Sequence, residues 1–246
     1  MDKLVYLEEG YNLTENPYAL PEKFMREAKC LHLFVEFLKT TTEQQPVQEK
    51  KKAANHAVFK LVFEKNYEDF AGLRLEMAVN YNYKSKSETS SNGPVKYKSG
   101  YLCAKPTLFS RPSSKTASTC ELAIARNWPV GSVIRLLLHF QMSHFDFVNL
   151  QDRYFGCRDF VSQAIHVLHK QGFILSCNIS RVLSGPSLPV TGIYDALGLR
   201  FAHRGRVLMC PIDKGRFTVY QRHESSAIPY KGSHRAHQLA AFIPEA

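Results

Sequence analysis

Cys157 and His56 are the two residues of this 246-residue chain whose types and settings suit nucleophilic chemistry. Cys157 follows a loop and opens the segment CRDFVSQAIHVLHKQ (157–171). There Phe160, Val161, Ala164, Ile165 and Leu168 recur at helical spacing, and Gly172 supplies the stop. The free amides and partial positive charge of a helix N-terminus stabilise a thiolate and lower its pKa, and Arg158 adds a cation beside it. A cysteine nucleophile also needs a base. His56, at the start of the β-branched and aromatic segment NHAVFKLVF, is the best-placed base by element type. The chemistry of such a pair is thiol-mediated acyl transfer, or hydrolysis of an amide, ester or thioester. The Cys157 amide then contributes to the oxyanion site. Each residue also has a plainer role open to it. Cys157 could pack a helix start as a small buried group, and His56 could hydrogen-bond the backbone at a strand end.

These two segments need neighbours to bring them together. Gly72 to Asn80 (GLRLEMAVN) alternates apolar and polar residues with the period of a half-buried strand. The turn residues Lys65 to Asp69 predict that it pairs with the His56 strand as an antiparallel hairpin. Val95 to Ala104 and His144 to Leu150 read as further strands, and Ser132 to Gln141 as a helix. Pro21 to Lys39 is expected to be a helix, with Phe24, Ala28, Leu31, Val35 and Leu38 on one stripe. Ser118-Thr119-Cys120-Glu121 fits a capping box ahead of a short helix to Arg126. Thr40 to Lys52 is a polar linker, and Tyr83 to Pro94 is expected to be a polar loop.

The segments NHAVFKLVF, GLRLEMAV and FGCRDFVSQAIHVLHKQGFI resemble a family of uncharacterised fungal proteins, over about Asn55 to Ile174. That family has an Asn-His-Trp strand, a second strand of the Val-Arg-Leu-Asn-Met type and a Gly-Cys-Arg-aromatic helix start. The order of elements, reversed relative to papain, also resembles circularly permuted papain-like proteins of the lecithin:retinol acyltransferase type. Their Asn-Cys-x-x-Phe helix start provides the nucleophile. Cys157-x-x-Phe160 fits that pattern, with Gly156 in place of the Asn and Ala57 in place of the fungal family's Trp. The wider group has a polar residue on the neighbouring strand that orients the histidine. The resemblance implies Glu76 for that role, a backbone carbonyl being the alternative; the plainer reading of Glu76 is a solvent-facing strand residue.

The implied fold is α+β, an antiparallel sheet packed against helices in a permuted papain-like core. Residues 1–54 are expected to form an N-terminal helix and linker, 55–177 the core domain, and 178–246 a basic, partly irregular extension. The composition, 44% hydrophobic and 22% charged, is that of a globular chain and excludes disorder over most of its length. Lys+Arg 32 against Asp+Glu 22 gives +10. Residues from Arg200 onward carry eight Lys and Arg against three Asp and Glu, so weak polyanion binding by this segment is one expectation. No P-loop, G-x-G-x-x-G after a strand or G-x-S-x-G occurs, which argues against nucleotide-dependent chemistry and the common serine hydrolases. No cofactor or metal is expected. His223 and His234-x-x-His237 lack supporting ligands at metal spacing, and His166 and His169 read as exposed helix residues.

The start of the chain has no long apolar run, and the stretch Ser132 to Met142 falls far short of the roughly 20 residues that span a bilayer. Its six cysteines are widely spaced and read as free thiols, so the expected location is cytoplasmic. The functional expectation is a cysteine-dependent hydrolase or acyltransferase acting on a small-molecule or acyl substrate. The alternatives are a non-catalytic interaction module that keeps a papain-like fold, and a basic nucleic-acid-binding protein.

Overall fold

The computed structural model describes residues 3–39, 55–90, 93–150, 153–185, 188, 190–201 and 207–222. The chain order is β1 (Tyr11–Asn12), α1 (Glu22–Glu27), β2 (Cys30–Lys39), β3 (Asn55–Tyr67), β4 (Phe70–Val79), β5 (Lys86–Ser90), β6 (Gly93–Thr107), β7 (Thr116–Ile124), α2 (Val130–His139), β8 (Phe145–Leu150), β9 (Arg153–Phe155), α3 (Cys157–Lys170), β10 (Ile174–Ser184), α4 (Ile193–Gly198), β11 (Leu199–Phe201), β12 (Val207–Met209) and β13 (Arg216–Phe217). Among the described residues one antiparallel sheet runs β10-β7-β2-β3-β4-β6-β8-β13, with β1 and β5 added on β6 and β9 on β8. The architecture is therefore α+β.

Strands β3 and β4 form the expected hairpin, joined by the short turn at Glu68 and Asp69. Period-two alternation sends Ala57, Phe59 and Leu61 of β3, and Leu73, Leu75 and Met77 of β4, into one core. Helix α3 lays Phe160, Val161, Ala164 and Ile165 onto this face, against β3, β4 and β10. Its end is the expected glycine stop: Gly172 sits at φ +79° and its amide donates to the His169 carbonyl. The other face of β2, β3 and β4 carries charge: Glu36, Lys60, Arg74 and Glu76. The segment after β6 covers part of it, with the Lys60 ammonium donating to the Arg111 carbonyl and the Ser113 amide donating to Glu36 Oε1 at 3.1 Å.

Three expectations are corrected. Pro21 to Lys39 is not one helix, because α1 ends at Glu27 and Cys30–Lys39 is a strand between β3 and β7. Its residues Leu33 to Phe37 are buried without a break, since both faces of an interior strand are covered. The helical stripe was a coincidence of spacing within a continuous apolar run. Ser118 to Glu121 is not a capping box but the middle of β7, where Cys120 pairs with Val35 and Ser118 with Phe37. Strand neighbours on both sides outweigh a local cap. Tyr83 to Pro94 is not all loop, since β5 pairs with the start of β6, Thr89 opposite Pro94. The segment beyond Cys177, expected to be partly irregular, contains regular structure among its described residues. Strand β10 continues along β7 to Ser184, β11 and β12 form a hairpin-like pair, and β13 adds to β8. The expected linker Thr40 to Lys52 lies almost entirely outside the described residues.

Candidate active site

His56 lies near the start of β3, opposite Leu38 of β2. The ladder between β3 and β4 ends at Phe59 opposite Leu75, so His56 and Ala57 lie beyond its last rung. There side chains replace the ladder: His56 Nε2 meets Glu76 Oε2 at 2.9 Å. Cys157, the first residue of α3, packs into the same place. There the His56 ring and the Ala57 amide both act on its thiol and favour the ionised form. The structure thus brings Cys157, His56 and Glu76 together from three elements. Glu76 belongs to the charged face of β4, not to bulk solvent, and its side chain is only 13% exposed.

The geometry has electrostatic consequences. Burial alone pushes thiols up, as at Cys30 and Cys120, both raised to about 12, and at Cys103, raised to about 11. Cys157 moves the other way. Burial opposes its ionisation, but the His56 imidazolium, the hydrogen bonds from His56 and Ala57, and the Arg158 charge outweigh it and lower the thiol to about 7. For His56, burial disfavours the cation, yet the Cys157 thiolate and then Glu76 raise it to about 10. Burial likewise works against the Glu76 carboxylate, and His56 and Arg74 together hold it down to about 2. Above about pH 7 these charges favour a thiolate–imidazolium pair beside a carboxylate.

The residue before Cys157, Gly156, has a conformational requirement of its own. It caps α3 at φ +130°, a conformation that side chains rarely adopt. A Cβ there would stand 2.8 Å from Gly215 Cα and 2.9 Å from Phe145 Cζ. An asparagine in the preceding position does not fit this backbone. No side chain caps the α3 N-terminus among the described residues, which leaves its first-turn amides directed at the space before Cys157. Comparison of the chain with protein-family models, with curated proteins and with solved structures finds no match.

Arg74 and Asp159 escaped the sequence reading, which named Arg158 for its charge alone. Arg74 donates from Nη2 to Glu76 Oε1 at 2.9 Å; its only sequence signal is the Arg-x-Glu spacing on one strand face. Arg158 is buried rather than facing the sulfur from solvent. Its Nη1 donates to the Leu197 carbonyl at 2.6 Å and to that of Leu199, and its guanidinium lies 5.1 Å over the Phe37 ring. Asp159, buried in the first turn of α3, accepts from Arg222 Nη2 at 2.6 Å and from the Gly215 amide at 2.9 Å. The basic C-terminal segment is thereby tied to the nucleophile helix. Arg216 pairs with Asp146 at 2.6 Å and Arg200 with Asp213 at 3.0 Å. Arg204, Arg206, His223, His234 and His237 lie outside the described residues. His169 bonds the Ile174 carbonyl through Nδ1 at 2.8 Å, closing the turn after α3. No helix among the described residues is long and apolar enough to cross a membrane.

Proposed function

We propose that the protein is a cysteine-dependent hydrolase or acyltransferase, with Cys157 as nucleophile, His56 as acid and base, and Glu76 orienting the imidazole. The thiolate attacks the carbonyl carbon of an amide, ester or thioester. The resulting oxyanion is received by the Cys157 amide and the positive end of α3. The carbonyl re-forms as the bond to the leaving group breaks, and His56 gives that group its proton. The neutral imidazole then takes a proton from water or from an acceptor nucleophile. That nucleophile attacks the thioester, and Cys157 leaves as a thiolate facing a recharged His56. The observation that carries this reading is the 2.9 Å contact of His56 Nε2 with Glu76 Oε2 beside Cys157 at the start of α3, and the direction of the Cys157 shift agrees with it. Cys157 is a half-buried thiol lowered to about 7, whereas the fully buried thiols Cys30, Cys103 and Cys120 rise.

Thiol labelling tests it. Brief treatment of the folded protein with iodoacetamide at neutral pH, followed by peptide mass spectrometry, should modify Cys157 well ahead of the other five cysteines. Activity-based acyl probes should attach at the same residue, and Cys157→Ser should lose both signals. Labelling no faster than at Cys177 and Cys210 would favour a non-catalytic module on this fold.

A further inference from the structure

Glu76 is gripped from two sides. Oε1 accepts from Arg74 Nη2 at 2.9 Å while Oε2 meets His56 Nε2 at 2.9 Å. A carboxylate anchored at one oxygen only can turn about its last bond; a second anchor removes that freedom. The other cations on this face do not take that place. Lys60 stands in register with Arg74 on β3 and Lys105 on β6, yet the Lys60 ammonium donates to the Arg111 carbonyl and that of Lys105 to the Glu8 carbonyl. Two cations directly opposite each other on a strand pair cost stability, and here Lys60 and Arg74 lie between the carboxylates of Glu36 and Glu76. The remaining titratable groups that act on the pair are Cys103 and Tyr101 of β6, both near Glu76, and Arg158 of α3, near Cys157.

We propose that Arg74 is a positioning residue that acts through Glu76, fixing which carboxylate oxygen meets His56 and so the angle at which the imidazole stands beside Cys157. This inference rests on the thiol reading of the site. A guanidinium suits the task better than an ammonium, because its planar fork sets direction as well as charge. Its removal leaves the Glu76 charge uncompensated near the thiolate, so the pH at which Cys157 ionises should rise.

The test is the rate of Cys157 alkylation by iodoacetamide in the full chain, followed against pH, for Arg74→Gln, Arg74→Lys, Glu76→Gln and the Arg74→Gln/Glu76→Gln pair. Arg74→Gln should slow labelling at pH 7 by about tenfold, a usual effect of losing a group that orients a reactive one, and move the midpoint upward. Arg74→Lys should recover part of the rate. In the Glu76→Gln background, adding Arg74→Gln should change the rate by less than about twofold, since the route of action is already gone. Equal slowing in both backgrounds overturns the proposal, as does an unchanged rate in Arg74→Gln. Should Arg74→Gln not fold, the folded Arg74→Lys protein decides alone: a slowed rate supports the proposal and a wild-type rate overturns it. A wild-type Cys157 no faster than the other thiols removes the reading of the site itself, which distinguishes the two failures.

Discussion

At the scale of single residues, the site is a proton distribution. Cys157 ionises at about 7 and His56 keeps its proton to about 10, so the ion pair persists between those values. The alkylation rate of Cys157 should therefore rise with pH through about 7 and then level, well below the ordinary thiol value of 9.0. His56→Gln removes the main opposing charge and leaves burial to act, so the midpoint should move upward. At pH 7 a thiol titrating near 9 is only roughly one per cent ionised, against about half for one titrating near 7. Labelling of His56→Gln at neutral pH should accordingly fall by about tenfold or more, the lower nucleophilicity of a low-pKa thiolate offsetting part of the difference. A rate profile unchanged by the substitution would show that His56 does not set the state of the thiol.

At the scale of elements, the start of α3 is the critical junction. Its cap, Gly156, combines a positive φ with close approach to Gly215 and Phe145. Gly156→Ala adds a Cβ against backbone that cannot swing aside like a flexible side chain. It should cost about 1–3 kcal/mol of stability, measurable by urea unfolding. Because the strain falls one residue before the nucleophile, Cys157 labelling should slow in the folded variant as well. Gly172, at the other end of α3, also has positive φ but no atom within 4 Å of a Cβ placed on it. Any loss of Cys157 reactivity in Gly172→Ala should therefore be much smaller, and a comparable loss would indicate general loosening of α3.

At the scale of the whole molecule, the basic C-terminal segment is part of the fold before it is anything else. Arg222, the Gly215 amide and Phe217 hold the start of α3 through Asp159, Phe145 and Phe160. A chain ending at Lys214 loses all of these and leaves a buried carboxylate without its cation. Removing one partner of a buried charge pair costs about 3–5 kcal/mol, so this truncation should lower the unfolding midpoint sharply. A chain ending at Arg222 keeps every one of these contacts. If the segment also binds polyanions, loss of heparin retention in the chain ending at Arg222, with α3 intact by circular dichroism, is the expected result. Unchanged retention there would show the charge beyond Arg222 to be incidental.

The parts of the fold that were readable from sequence are those whose signals are local. The 3.6-residue period and glycine stop of α3 depend on neighbours within one helix, and the alternation of Leu73, Leu75 and Met77 on neighbours within one strand. His56 on a strand and Cys157 at a helix start followed from those signals. Strands β2 and β7 were misread because burial on both faces erases alternation, and a buried run carries no period of its own. Which side of β4 Glu76 faces, and that Arg74 grips it, depends on where the β3–β4 ladder stops. Tertiary placement also decided that Arg222 lies against Asp159, 63 residues away along the chain. The nucleophile and its base announce themselves by type and setting. The groups that set their charge and angle act across strands and between distant segments, so only the packed sheet reveals them.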